Sequence, residues 1–170
     1  DILRDPWWLL RPRLEPFDYL HVRPLLDLTF AVPQAVWGLQ PAPHYLIQMA
    51  MHLLNTWLVG RLARAWLGSA GAGVMAASLF AVWWPGREAF LYLHGRAELL
   101  GTAWMLLAAL AAERSRWWCA AAVVGGLASF EGSIAILPIL LIRDHLRNGR
   151  IRWRWHAPVL ASVAVWAVVQ

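Results

Sequence analysis

Four ionisable side chains lie within eleven residues of a strongly apolar chain, in the stretch EAFLYLHGRAELLG (88–101). They are Glu88, His94, Arg96 and Glu98: two carboxylates, an imidazole and a guanidinium. Carboxylate and imidazole groups can transfer protons, and a guanidinium binds anionic groups through charge-assisted hydrogen bonds. The stretch is therefore a candidate polar site. The alternative is an Arg–Glu network that only fixes the positions of helices.

The spacing of these residues argues against a direct pair between Glu88 and Arg96. On a continuous helix they would lie about 12 Å apart along the axis and about 80° apart around it. We therefore expect each side chain to have its partner on another element, as around a cavity.

The elements that must position these residues are apolar. The 170-residue chain is 60% hydrophobic and only 15% charged, and its mean hydropathy is +0.49. Soluble proteins carry about 25% charged residues, so the composition predicts an integral membrane protein. All 15 basic residues are arginines that lie between apolar runs, which argues against nucleic-acid binding. Cys119 is the only cysteine and is predicted to be a packing residue.

An all-α fold is predicted, a polytopic bundle of transmembrane helices. A helix needs about 20 residues to cross the hydrocarbon core. Spans are predicted near 44–63, 68–85, 91–112, 117–130, 132–146 and 155–170. Residues 117–142 are interpreted as two short helices that meet at SFEGS (129–133), rather than as one helix. His52 and Asn55 share a helix face and are expected to bond across helices or to each other's backbone, as a packing pair rather than a catalytic or metal site.

The arginines predict an orientation for this bundle. If the spans alternate, nine arginines fall on one side, which the positive-inside rule assigns to the cytoplasm. The opposite side receives most of the acidic residues. The predicted location is therefore a multi-pass protein of the bacterial inner membrane, with membrane lipid as a partner.

Two domain-level predictions complete this organisation. Residues 1–43 contain seven prolines and are predicted to form a non-cytoplasmic loop with short surface helices. Residues 44–170 would be the bundle, part of one larger membrane domain. The chain starts at Asp1 without a methionine and ends in an apolar run, so a fragment of a longer protein is expected.

Four strings in order resemble a known family. They are VRPLLDLTFAVPQAVWGLQP (22–41), HLLN (52–55), EAFLYLHGRAELL (88–100) and SFEGSIAILPILLIRD (129–144). Together they are similar to the polytopic C-type glycosyltransferases, most closely to the transmembrane and tetratricopeptide-repeat O-mannosyltransferases and their bacterial relatives. The resemblance covers roughly residues 22 to 144.

The resemblance implies a reaction. Such enzymes take a sugar, here a hexose such as mannose, from a polyprenyl-phosphate carrier and pass it to a hydroxyl of a protein or glycan on the non-cytoplasmic side. A carboxylate of the first external loop acts as the base, and Asp1 lies about where the second member of the family's Asp-Asp pair would fall. A divalent metal ion is compatible with this chemistry, although no set of metal ligands is predicted.

The resemblance also implies site residues. Arg23 and Arg96 match the positions expected to contact the lipid phosphate. The other expected substrate-binding residues are Glu88, His94, Glu98 and Glu131. A non-catalytic membrane module remains as the alternative to an enzyme: a transporter-like or lipid-binding bundle, or the anchor of a repeat domain.

Overall fold

The computed structural model describes residues 23–83 and 91–169, and within these ranges it is built of helices. This confirms the all-α part of the fold prediction. In chain order the α-helices are α1 (Pro24–Trp37), α2 (Pro41–Leu67), α3 (Ala70–Val82), α4 (Arg96–Ala111), α5 (Arg116–Leu127), α6 (Ile136–Asn148) and α7 (Trp153–Val169). Two 3₁₀ turns, Leu93–Gly95 and Glu131–Ala135, lead into α4 and α6.

Proline and glycine mark several of the helix ends. Pro24 and Pro41 occupy the first positions of α1 and α2, where the missing N–H has no intrahelical partner to lose. Gly38, Gly68 and Gly149 follow α1, α2 and α6 with φ values of 65°, 67° and 68°. A side chain at these left-handed positions would be strained, so glycine ends each helix without that penalty.

Small residues allow the helices to approach closely. A Cβ added to Gly73 of α3 would lie 2.8 Å from the carbonyl oxygen of Gly60 in α2. A Cβ added to Gly125 of α5 would lie 2.7 Å from the Trp104 ring of α4. The pairs α2–α3 and α4–α5 therefore pack with backbone against backbone or ring, and α5 also packs on α7.

The hydrophobic core lies where α4, α5, α6 and α7 meet. Its fully buried members include Ala108, Cys119, Val123, Leu140 and Val159. Burial raises the pKa of the Cys119 thiol to about 11, because the thiolate would have to form in an apolar surrounding. The prediction that Cys119 is a packing residue is confirmed.

The prediction of a polytopic transmembrane bundle is wrong. Over the described ranges, no helix combines the length and the apolar character that crossing a bilayer requires. With 27 residues, α2 is long enough, but it contains Arg61 and Arg64 as well as several buried polar side chains. The others are too short: the longest of them, α7, has 17 residues, against the roughly 20 that a span needs.

The predicted location in the bacterial inner membrane is wrong for the same reason as the predicted spans. An integral, multi-pass protein of the bacterial inner membrane requires spanning helices, and the described part of the chain supplies none. The predicted apolar runs do contain helices, but two of these runs include a 3₁₀ turn at their start. The run 91–112 begins with a 3₁₀ turn before Arg96, and the run 132–146 begins with another before Ile136. Hydropathy counts such turn residues as part of a span, although they shorten the α-helix.

Candidate functional site

The short helix α1 joins parts of the chain that are distant in sequence. Its first turn is held by the Leu25 amide, which donates to the carbonyl oxygen of Ala128 at 3.2 Å. Its middle is held by Arg96, whose Nη1 donates to the carbonyl oxygen of Thr29 at 2.7 Å. Helix α1 thereby connects the turn after α5 with the start of α4, the two regions that hold the predicted site residues.

The carbonyl of Thr29 is available to Arg96 for a reason visible in the sequence. In a regular helix this oxygen would accept the amide of residue 33, but Pro33 has no N–H and is a buried residue inside α1. A buried carbonyl without a donor is unfavourable. The Arg96 guanidinium supplies the missing donor from another helix.

Arg96 is fully buried, with 0% of its surface exposed. Besides Thr29, it donates through Nη2 to the carbonyl oxygen of His44 at 3.0 Å, and its guanidinium lies 4.0 Å from the centre of the Phe30 ring. Burial lowers its pKa, but an arginine stays protonated in proteins. No carboxylate of the described residues pairs with it. Backbone carbonyls and an aromatic face therefore hold this buried cation in place.

Arg23 and Glu131, which are 108 positions apart in the sequence, form an ion pair. Nη2 of Arg23 donates to Oε1 of Glu131 at 2.5 Å, and the guanidinium lies 5.8 Å from the centre of the Phe130 ring. The two side chains remain 30% and 35% exposed. In the described part of the chain, Nε of Arg23 and Oε2 of Glu131 have no hydrogen-bond partner. Both atoms are themselves buried, so the exposed part of the pair lies elsewhere on the two side chains.

Polar side chains of α2 fix the start of α4 from the other side. Nε2 of Gln48 donates to the carbonyl oxygen of Tyr92 at 2.6 Å, and Nδ2 of Asn55 donates to that of Leu99 at 2.8 Å. His52 faces α3 instead, with Nε2 lying 3.3 Å from the carbonyl oxygen of Ala81. His52 and Asn55 bond across helices as predicted, but to different neighbours.

Within residues 23–83 and 91–169, the predicted site residues do not form one cluster. Arg23 and Glu131 pair directly, and Arg96 holds the same helix, α1, six residues beyond Arg23. His94 and Glu98 are exposed, and the His94 ring stacks on Tyr92 with centroids 5.7 Å apart. Asp1 and Glu88 lie outside the described residues.

A metal site is not evident in the described ranges. Residues 23–83 and 91–169 contain no group of three or more His, Cys, Asp or Glu side chains that could hold a metal ion.

Sequence reasoning missed a second polar region, at Asp144. One carboxylate oxygen of Asp144 accepts from Nδ2 of Asn148 at 2.7 Å and from Nε of Arg152 at 2.8 Å. The other accepts from the Arg152 amide at 2.8 Å and lies 3.2 Å from Nε2 of His156. Burial acts to raise the pKa of Asp144, but its bonds to Arg152 and His156 outweigh burial and lower the pKa to about 2.

The sequence carries one signal for this region, the basic run that follows α6. Hydropathy assigns such a run to a membrane-flanking loop and says nothing about which arginines face one another. The Asp144 network depends on the chain turning back at Gly149, so that Arg152 and His156 of the next segment reach the end of α6.

Comparison with known proteins finds a relative. Over 114 residues, or 67% of this chain, the sequence is 33% identical to the protein O-mannosyl-transferase Tmtc1 of Drosophila melanogaster. The matched segment is 13% of that protein, so the chain spans a small part of the relative's length. No family model matches the chain, and no solved structure matches it. The similarity supports a glycosyltransferase relationship and agrees at that level with the resemblance found in the sequence.

Proposed function

We propose that this chain is part of a glycosyltransferase that moves a sugar from a polyprenyl-phosphate carrier to a hydroxyl of a protein acceptor. The relative is described as a protein O-mannosyl-transferase, which supports a sugar donor and a protein acceptor. The observation that supports the proposal most directly is the pairing of Arg23 with Glu131, since both occupy positions that the resemblance assigns to the substrate site.

Arg23 is the residue that we assign to the donor phosphate. When the bond between the anomeric carbon and the phosphate oxygen breaks, negative charge grows on the departing phosphate, and a guanidinium stabilises it. The Arg23 side chain is 30% exposed, so part of it lies within reach of a ligand. Glu131 and the Phe130 ring hold the guanidinium from two sides, so that little ordering is needed when the phosphate arrives.

Arg96 receives a different role, that of a positioning residue. Its side chain has no exposed surface, and both terminal nitrogens already donate to carbonyl oxygens. Arg23 precedes Thr29 by six residues, about 9 Å along a helix. By holding Thr29, Arg96 fixes the helix that begins beside Arg23. We therefore assign to Arg96 the placement of α1 rather than contact with the phosphate.

The acceptor hydroxyl must lose its proton as the new glycosidic bond forms. A carboxylate is the base in this proposal, and Asp1, outside the described residues, stays the predicted one. The substrate contacts of Glu88, His94 and Glu98 also stay predictions.

A transfer assay on the full-length protein tests the proposal. The donor is a polyprenyl-phosphate hexose, the acceptor is a peptide containing serine and threonine, and the readout is kcat/KM for the donor. Arg23→Ala should lower kcat/KM by about tenfold to a hundredfold, the range of one charge-assisted hydrogen bond. Arg23→Lys should retain part of the activity, because the charge stays while the planar donor set is lost.

The matched control is Arg61→Ala, which removes an exposed arginine that lies 5.1 Å from the Trp57 ring. It should transfer sugar at the wild-type rate. Unchanged kcat/KM in a folded Arg23→Ala protein would overturn the assignment of Arg23. Donor binding without any transfer by the wild type would favour the non-catalytic, lipid-binding alternative.

A further inference from the structure

A polar pocket lies at the ends of α4 and α6, among residues that the proposed transfer reaction does not use. It has a volume of about 320 Å³, at the small end of the range of about 300–1,000 Å³ for small-molecule sites. Its polar walls come from the residues after α4, the last turns of α6 and the segment before α7. They are Glu113, Arg114, Arg143, Arg147, Asn148 and Arg152.

Cations outnumber anions around this pocket. Glu113 forms ion pairs with both Arg143 and Arg147, and Arg152 pairs with Asp144 behind the wall. Arg114 is exposed and has no carboxylate partner among the described residues. Two carboxylates therefore pair with three guanidiniums, and the fourth has no carboxylate partner among the described residues.

The arginines are also close enough to disfavour one another's charge. The pKa of Arg143 is lowered first by its burial and then by the charge of Arg147; Asp144 acts in the opposite direction, and Arg152 lowers the pKa further. Because arginine does not give up its proton in proteins, this repulsion persists at neutral pH. A bound anion would relieve it.

We propose that this pocket binds a phosphate group. A phosphate offers several oxygens to several guanidiniums at once, whereas a single carboxylate is already satisfied by a bidentate pair with one arginine. The site is independent of Arg23 and Glu131. It would place a phosphate at the junction of α4, α6 and α7.

The source of the phosphate is suggested by a neighbouring groove. The groove has a volume of about 580 Å³ and shares Arg143 and Arg147 with the polar pocket. Its remaining walls are mainly apolar and include Trp66, Ile139, Ile142 and Leu146. Free phosphate would use the polar pocket alone. The phosphate of a lipid headgroup would use the same arginines and leave its apolar chain beside this groove.

The first test measures binding of inorganic phosphate to the intact chain by calorimetry, at constant salt because exposed charges are screened. Arg147→Gln should weaken binding about tenfold, the loss of one charge-assisted bond. Its side chain is 64% exposed, so its replacement leaves the core intact. Arg114→Gln, at a second exposed position, should act in the same direction.

The matched control is Arg150→Gln, which removes the same charge from an exposed arginine close in sequence but outside the pocket wall. It should leave phosphate binding within about twofold of the wild type. Equal weakening by Arg147→Gln and Arg150→Gln would mean that only net charge matters, and would overturn the proposal.

The second test identifies the source, using flotation with phosphatidate vesicles and with phosphatidylcholine vesicles. If a lipid headgroup is the source, the chain should bind phosphatidate vesicles preferentially, and Ile142→Asn should weaken this binding without affecting inorganic phosphate. If free phosphate is the source, inorganic phosphate should bind and Ile142→Asn should have no effect in either assay. Absence of binding to both inorganic phosphate and phosphatidate would overturn the proposed site.

Discussion

The contact between Arg96 and Thr29 predicts that Arg96→Met and Pro33→Ala have coupled effects on the free energy of unfolding. Arg96→Met removes two guanidinium–carbonyl hydrogen bonds, at 2.7 and 3.0 Å. Each such bond contributes about 1.5–3 kcal/mol, and removing the buried charge recovers part of the loss. We therefore expect Arg96→Met to lower the free energy of unfolding by about 3 kcal/mol.

Part of that loss arises because Pro33 cannot donate to the carbonyl of Thr29. In a Pro33→Ala background, the new amide at position 33 lies within α1 and can supply the donor that Arg96 no longer provides. The effect of Arg96→Met should then be smaller by about 1 kcal/mol, the worth of one restored hydrogen bond. Pro33→Ala alone also loses ring packing, and the double-mutant cycle subtracts that contribution.

Urea denaturation followed by circular dichroism measures all four proteins of this cycle. Arg64→Met is the control, an exposed arginine whose loss should change the free energy by less than about 0.5 kcal/mol. A coupling within about 0.5 kcal/mol of zero, or an Arg96→Met protein as stable as the wild type, would refute the explanation of how α1 is held.

Three further outcomes follow from the core and from Asp144. Gly125→Ala should destabilise the fold by about 1–3 kcal/mol in the same denaturation assay, since the added methyl must displace the Trp104 ring; an unchanged midpoint would show that α4 and α5 are not in direct contact there. Because the folded-state pKa of Asp144 is lowered from 3.8 to about 2, its contribution to stability is present above about pH 4 and is lost as the pH falls towards 2. Asp144→Asn should flatten that part of the stability profile, and an identical profile in the variant would contradict it. Cys119 should react with iodoacetamide at pH 8 only after unfolding, because it is buried and its pKa is raised to about 11; rapid labelling of the native chain would place the thiol at the surface.

The helices could be predicted from the sequence because apolar runs, and the prolines and glycines that end them, are local signals. Prolines at the starts of α1 and α2 and glycines after α1, α2 and α6 lie at helix ends, as their backbone preferences require. The division of 117–142 into two helices was also predictable, since SFEGS interrupts the apolar run and the structure has a 3₁₀ turn at Glu131–Ala135.

Membrane spans were predicted wrongly because hydropathy averages over a window and ignores breaks inside it. The averaging window assigns His94, a residue of the 3₁₀ turn, to the same span as the start of α4. It also averages the polar residues of α2 with their apolar neighbours, so they do not prevent the prediction of a span. In the structure, Gln48 and Asn55 bond to backbone carbonyls of the neighbouring segment. Such pairing is a tertiary property that a hydropathy profile does not contain.

Only part of the candidate site could be predicted from the sequence. The resemblance singled out Arg23, Arg96 and Glu131 by position, yet the assignment of partners needed three dimensions. Arg23 pairs with a residue 108 positions away, and one partner of Arg96 is a carbonyl left without its helical donor by a proline on another helix. The arginine pocket could not be recognised, because its walls come from three segments that meet only after folding.

Sugar transfer by the wild-type protein tests the central claim most directly. The full-length protein is supplied with a polyprenyl-phosphate hexose carrying a labelled sugar and with a serine- and threonine-containing peptide, and the peptide is examined by mass spectrometry. The account predicts a peptide one hexose heavier, with the sugar on a hydroxyl side chain and the polyprenyl phosphate released. An unmodified peptide and an intact donor, from a protein that is folded and binds that donor, would contradict it.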